Sequence, residues 1–239
     1  MLRELIDKFY LERERAKSRE QTRFYISDAG RCSRMVFFKL KKAPRRELEA
    51  QVLRTFDHGD YIHRLIMNTL FSLGLVRASE INIPPQEIIA GRADAIISID
   101  NSLYVLDIKS ISGRAKDLAR PKEENNAQLQ LYLHFFKIPK GILLYVNKDT
   151  QELNEFLVEY NPGLVQNILA ELSKLKIKVD SNIIPARIPD YPEGWQCQYC
   201  QFFEICGMAG GGEMNWEEFK KKVVESKDSS PTSPSEGAR

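Results

Sequence analysis

The chain has 239 residues, 43% of them hydrophobic and 28% charged, enough for one compact domain with a real core or one domain with a small appendage. Lys and Arg (35) nearly balance Asp and Glu (33), so the net charge of +2 neither demands nor excludes a polyanionic partner held by a local basic face. No apolar run approaches the roughly 20 residues that span a bilayer, and Met1-Leu2-Arg3-Glu4 lacks a secretory apolar stretch, so a cytoplasmic chain without membrane contact is expected.

Leu2, Leu5, Ile6 and Phe9 recur at helical spacing in a charge-rich stretch, predicting an amphipathic helix within residues 1–23. Ser27 is placed to cap a second helix that carries Met35, Val36, Phe37 and Phe38 and is limited by Pro44. From Val52 to Leu73 the positions Leu53, Phe56, Ile62, Ile66, Leu70 and Leu73 predict a longer helix stopped by Gly74. β-branched runs at Val76–Ile83, Ile88–Ile99 and Leu103–Ile111 then predict three strands, separated by Pro84-Pro85 and Asp100-Asn101. A polar stretch to about Asn126 leads into a helix bearing Leu129, Leu131, Leu133 and Phe136. Gly141–Asn147 and Glu152–Tyr160 follow as strands joined by a turn at Asp149-Thr150, and Asn161-Pro162 opens a helix to about Lys176. From Ser226 onward no apolar group can repay ordering, which predicts a disordered tail.

The chemistry concentrates on the hairpin around Asp100-Asn101, a dipeptide suited to a tight turn. Counting outward from that turn sets Asp94 directly across from Asp107, with Cβ atoms about 4.5–5.5 Å apart. The strand period of two puts Lys109 on the face of Asp107. Two opposed carboxylates among Ile96, Val105, Leu106 and Ile108 resist ionisation unless a cation lies between them. Hard oxygen ligands point to Mg2+ or Mn2+, and the ammonium beside them to phosphodiester hydrolysis. A salt-bridged strand surface would account for Lys109 beside one Asp but not for the second Asp. His63, next to inward-facing Ile62, is a further candidate ligand, with His58 its competitor. Gln128 and Tyr132 lie four apart on their helix, so an amide and a phenol share a face suited to orienting a phosphate or nucleotide.

Cys197, Cys200 and Cys206 bring three thiols into ten residues, and Cys32 is the one cysteine left to complete a four-coordinate site. Four thiolates suit a structural zinc or an iron-sulfur cluster, and spacing does not choose between them.

Taken in order, Cys32 with Arg34, His63 after Gly59, Gly91-Arg92-Ala93-Asp94, Asp107-Ile108-Lys109, Gln128 with Tyr132, and Cys197, Cys200 and Cys206 resemble the RecB-like branch of the PD-(D/E)xK nucleases. Within it they are most similar to the CRISPR-associated protein four exonucleases, over nearly the whole chain to about residue 207. Ser33 departs from the proline that often follows the first cysteine, and Asp107 fills a position that can also be Glu. The resemblance implies an α/β fold: a restriction-endonuclease-like core with a mixed central β-sheet flanked by helices, and an iron-sulfur subdomain formed by N- and C-terminal segments. It implies an N-terminal helical segment (1–51) with the first cluster cysteine, a RecB-like nuclease core (52–180), a cysteine-rich segment (181–212), a short helix (213–225) and the tail (226–239).

It further implies that His63, Asp94, Asp107 and the main-chain carbonyl of Ile108 hold Mg2+ or Mn2+, that Lys109 assists catalysis, and that Gln128 and Tyr132 position DNA. It favours a 4Fe-4S cluster on Cys32, Cys197, Cys200 and Cys206 over zinc. The expected activity is exonucleolytic cleavage of single-stranded DNA ends, with processing of spacer precursors beside CRISPR adaptation integrase subunits as one context. Three other readings remain: a DNA-end binding or adaptor module for an integrase, a phage-type recombination nuclease of the same fold, and a zinc-stapled protein without nuclease activity. A homo-oligomer is compatible with each. No Gly-rich phosphate-binding loop of a helicase is present.

Overall fold

The computed structural model describes residues 1–17, 20–113 and 118–228. The elements begin with α1 (Leu2–Arg15), β1 (Phe24–Tyr25), a 3-10 turn (Ile26–Asp28), α2 (Ser33–Leu40) and α3 (Ala50–Ser72). Next come β2 (Val76–Asn82), β3 (Ile89–Ala90), β4 (Arg92–Ile99), β5 (Ser102–Ile111), α4 (Glu123–Phe136), β6 (Lys140–Asn147) and β7 (Leu153–Glu159). The last are α5 (Pro162–Asp180), β8 (Ile183–Ile184), α6 (Trp195–Gln198), α7 (Phe203–Met208), β9 (Met214–Asn215) and α8 (Trp216–Asp228). They fall into two compact units, Met1–Arg31 with Glu47–Ser173, and Cys32–Arg46 with Lys174–Arg239. Among the described residues no helix is long and apolar enough to cross a membrane.

The first unit is built on a five-stranded sheet of order β2-β4-β5-β6-β7. It is mixed: β5 and β6 run parallel, and the other neighbours antiparallel. The β4–β5 hairpin turns at Asp100 and Asn101, both with positive φ (48° and 61°), the conformation of a two-residue primed turn. Its ladder runs from Ile99↔Ser102 to Ala95↔Leu106, the register that counting from the turn predicts. Ala95, Ile97, Leu106 and Ile108 pack against Ile62 and Met67 of α3. Asp107 and Lys109 alternate with Leu106 and Ile108, so they point to the opposite face, where α4 packs on β5 and β6.

Several elements differ from expectation. The helix of residues 1–23 ends at Arg15, and none of its residues is buried; Leu2, Leu5 and Phe9 are more than half exposed. It is held to α3 largely by charge, through Arg13 Nη2 donating to Asp57 Oδ1 at 2.7 Å and Arg54 pairing with Asp7. Ser27 caps no helix: it lies in the 3-10 turn, where Asp28 Oδ2 accepts bonds from Tyr25 N (2.9 Å) and Gln21 Nε2 (2.6 Å), and α2 starts after Gly30 turns the chain at φ +70°. Helix α4 begins earlier than its apolar stripe, because Tyr145 Oη accepts from Lys122 N (3.1 Å) and Asn125 Nδ2 (2.8 Å) and anchors its first turn. Helix α5 opens at Pro162 as expected and runs on to Asp180. Of the expected tail, residues 226–228 end α8, and 229–239 lie outside the described residues.

The strand expected over residues 88–99 is two strands. β3 pairs in parallel with β1, whereas β4 pairs with β2, and Gly91 lies at the break. A Cβ at Gly91 would meet Ile26 side-chain atoms at 2.7–2.9 Å, so the 3-10 turn requires a glycine there.

The second unit has an aromatic core in which Phe38 contacts Phe202 (ring centroids 5.7 Å), Trp216 (6.2 Å) and Phe219 (6.1 Å). Arg34, 1% exposed, donates to the carbonyls of Pro185 (2.7 Å), Gly210 (2.7 Å) and Gly212 (2.7 Å), tying α2 to segments far along the chain.

Gly91→Ala is expected to destabilise the protein by about 1–3 kcal/mol through overpacking against Ile26, read as a lower thermal midpoint than wild type. An unchanged midpoint would show that the turn and strand separate freely.

Candidate active site

The ladder of the β4–β5 hairpin stops at Ala95↔Leu106, and one step further a side chain takes over: Asp94 Oδ2 accepts the main-chain N–H of Ile108 at 2.7 Å. That bond fixes the Asp94 carboxylate beside the strand carrying Asp107 and Lys109. Lys109 Nζ donates to Asp107 Oδ1 at 2.9 Å and to Gln128 Oε1 of α4 at 3.0 Å, so the ammonium is clamped between sheet and helix. Asp107 is 2% exposed. Burial, opposed by Lys109 and reinforced by the nearby Asp94 carboxylate, pushes its carboxyl up to about 6. Its Oδ2 lies 2.9 Å from Lys109 Nζ yet has no hydrogen bond of acceptable geometry.

His63 reaches the same place from α3. Its Nε2 lies 3.3 Å from Asp94 Oδ1, again outside hydrogen-bond geometry, and is buried without a partner. Asp94 raises the imidazole above its ordinary value in spite of burial. Two ligand-type atoms side by side, neither satisfying the other, suit a shared cation better than a donor–acceptor pair. His58, the competing candidate, is exposed on the same helix. The structure therefore brings together His63, Asp94, Asp107, Lys109 and Gln128.

Tyr132 lies beside Gln128, Asp107 and Asp94 and also braces the main chain. Its hydroxyl, 3% exposed as a residue, donates to the carbonyl of Arg92 at 2.7 Å, bracing β4 just before Asp94. Burial pushes its pKa up to about 12, so it remains a neutral donor. Ile108 contributes its N–H to Asp94, and its side chain packs into the core.

Glu80 on β2 was not singled out by the sequence. One ligand atom from each of His63, Glu80 and Asp94 lies within 4.8 Å of the others, a grouping fit for a metal ion. The register Ser79↔Ala95 and Ile81↔Ala93 places Glu80 opposite Asp94. The β2–β4 connection passes through β3 rather than a tight turn, so this register could not be counted from the sequence. The donor set of imidazole and carboxylates fits a divalent cation, and the unpartnered His63 Nε2 and Asp107 Oδ2 are atoms such an ion would satisfy.

In the second unit Cys32, Cys197, Cys200 and Cys206 are all free thiols and line one hollow. Burial pushes Cys32, Cys197 and Cys200 up, Cys197 to about 11, and the neighbouring thiols push the same way, so thiolates form there with difficulty unless a cation compensates them. Arg34 Nη1 lies 3.5 Å from Cys206 Sγ, and Gln196 Oε1 accepts the Cys32 N–H at 2.8 Å. This geometry fits a four-thiolate centre.

A family model described as the PD-(D/E)XK nuclease superfamily matches residues 2–207. The CRISPR-associated exonuclease Cas4 of Saccharolobus solfataricus (strain ATCC 35092 / DSM 1617 / JCM 11322 / P2) is 28% identical over 222 residues, covering 86% of this chain and 98% of that protein. The crystal structure of SSO0001 superposes with a TM-score of 0.57 at 25% identity, over 86% of this chain and 96% of that one. An alkaline exonuclease of Laribacter hongkongensis, LHK-Exo, shares the fold at 12% identity and a TM-score of 0.50, over 72% of this chain and 92% of that one. The carboxylate pair, the lysine two residues on and the mixed sheet that carries them thus agree with the match over most of the chain, which belongs to the PD-(D/E)XK nuclease superfamily as a Cas4-like hydrolase of phosphodiester bonds.

Proposed function

We propose that the protein is a metal-dependent DNA exonuclease acting on single-stranded ends, with His63, Asp94, Asp107 and the carbonyl of Ile108 as the ligands of Mg2+ or Mn2+. The observation that carries this reading is the buried Asp107, held by Lys109 with one carboxylate oxygen unsatisfied and Asp94 alongside. When bound, the ion supplies Lewis acidity toward the scissile phosphate and an attacking water. Lys109, fixed by Asp107 and Gln128, presents a positive charge where negative charge builds on the phosphate. Gln128 sets the position of that ammonium, and Tyr132 holds β4 in register with it through the Arg92 carbonyl.

We further propose that the four cysteines hold a 4Fe-4S cluster. Four reduced thiols around one hollow, with Arg34 beside Cys206, support it, as does the similarity to Cas4. We also propose a role in processing spacer precursors alongside a CRISPR adaptation integrase in the cytoplasm; the similarity to a CRISPR-associated exonuclease supports the CRISPR context of that reading.

Lys109→Ala and Asp107→Ala are each expected to slow degradation of end-labelled single-stranded DNA in Mn2+ by about 100-fold or more, with the fold retained by circular dichroism. Parental rates in either variant would sink the assignment. Anaerobically purified protein is expected to absorb in the visible and to contain iron and acid-labile sulfide, both lost in Cys200→Ala; zinc without iron would overturn the cluster.

A further inference from the structure

We infer that Glu80 is an additional ligand of the active-site cation, joining His63 and Asp94; this rests on the metal-dependent reading above. Three observations converge on it. The ligand atoms of His63, Glu80 and Asp94 lie within 4.8 Å of one another, a set that Asp107 does not join. Strand pairing places Glu80 opposite Asp94, so the grouping is built into the β2–β4 register and does not depend on a loop. The His63 Nε2 atom in this set is buried and makes no hydrogen bond.

The backbone at Glu80 adds a constraint. Its φ is +51°, a left-handed conformation that residues with a Cβ seldom adopt, and it occurs in the middle of a strand. Glycine would relieve it, yet the position carries a carboxylate. Arg92 Nη2 sits 2.7 Å from Glu80 Oε2 and offers a counter-charge to that group. The ordinary alternative is a surface ion pair, since both side chains are substantially exposed (62% for Arg92, 46% for Glu80). A pair serving only itself needs neither the left-handed backbone nor proximity to His63 and Asp94.

A third carboxylate raises the negative charge around the cation. Divalent-ion affinity rises with the number of charged ligands, so Glu80 should act mainly on how tightly the ion is held. It is a ligand supplied by a strand outside the β4–β5 hairpin and helix α3.

The test is calorimetric titration of Mn2+ into the purified full-length chain, comparing wild type with Glu80→Gln, Glu80→Gly and Asp94→Ala. Glu80→Gly guards against a folding defect, because glycine accommodates the positive φ and should leave the metal-free thermal midpoint at or above that of wild type. The inference predicts Mn2+ affinity about 10-fold weaker in both Glu80 variants, on the scale of losses seen when groups supporting a metal site are removed. Both Glu80 variants binding within twofold of wild type, while Asp94→Ala loses binding, would overturn the role of Glu80 and leave the metal centre standing. Wild type binding no Mn2+ would overturn both.

Discussion

A carboxylate buried in a mixed sheet organises the first unit. Asp107 is nearly inaccessible and sits on the central strand β5, where burial penalises its charged form. The neighbouring groups bear on that penalty. Lys109 offsets it, Gln128 fixes Lys109, and the hydrogen bond from Ile108 N to Asp94 brings in the second carboxylate that aggravates it. His63 enters from α3 and Glu80 from β2, and their ligand-type atoms lie within 4.8 Å of each other and of Asp94. An arrangement so costly for the protein alone makes chemical sense around a divalent cation.

The hairpin was legible in the sequence because Asp100-Asn101 is a tight turn, and a tight turn fixes register by counting. The ladder observed from Ile99↔Ser102 to Ala95↔Leu106 follows that count. Glu80 is out of reach of such a count, because its partner strand is reached through the β1–β3 pairing and the break at Gly91. His63 was preferred to His58 for its place beside Ile62, and the packing of Ile62 and Met67 with Leu106 and Ile108 turns that side of α3 toward the sheet while His58 is exposed. Tyr132 shares a helical face with Gln128 as spacing implied, and its hydroxyl also donates to the Arg92 carbonyl, a main-chain partner that no side-chain pattern announces. For α1 the apolar stripe was visible and the helix forms, yet Arg13–Asp57 and Arg54–Asp7 hold it and the stripe stays exposed.

In the second unit the cysteines show a parallel logic with softer ligands. Burial and neighbouring thiols make Cys32, Cys197 and Cys200 reluctant to ionise, and Arg34 spends its guanidinium on carbonyls of a glycine-rich turn and on Cys206. Spacing gathered three of the cysteines, and elimination added Cys32; the fold brings all four to one hollow.

The central claim, that a cation relieves the strain of a buried carboxylate, is tested most directly by thermal unfolding with and without Mn2+ at pH 5 and pH 8. Because Asp107 is raised in the folded state, its contribution to stability is present below the unfolded carboxylate range and is lost as pH rises through about 6. Without metal the site therefore weakens the protein at pH 8, while at pH 5 an incoming ion must displace protons from Asp107 and His63. Mn2+ at about 100 times its dissociation constant at pH 8 is expected to raise the midpoint by several degrees there and by much less at pH 5, a difference that shrinks in Asp107→Asn to the part set by His63. A Mn2+ effect that is absent, or equal at the two pH values, would contradict that claim.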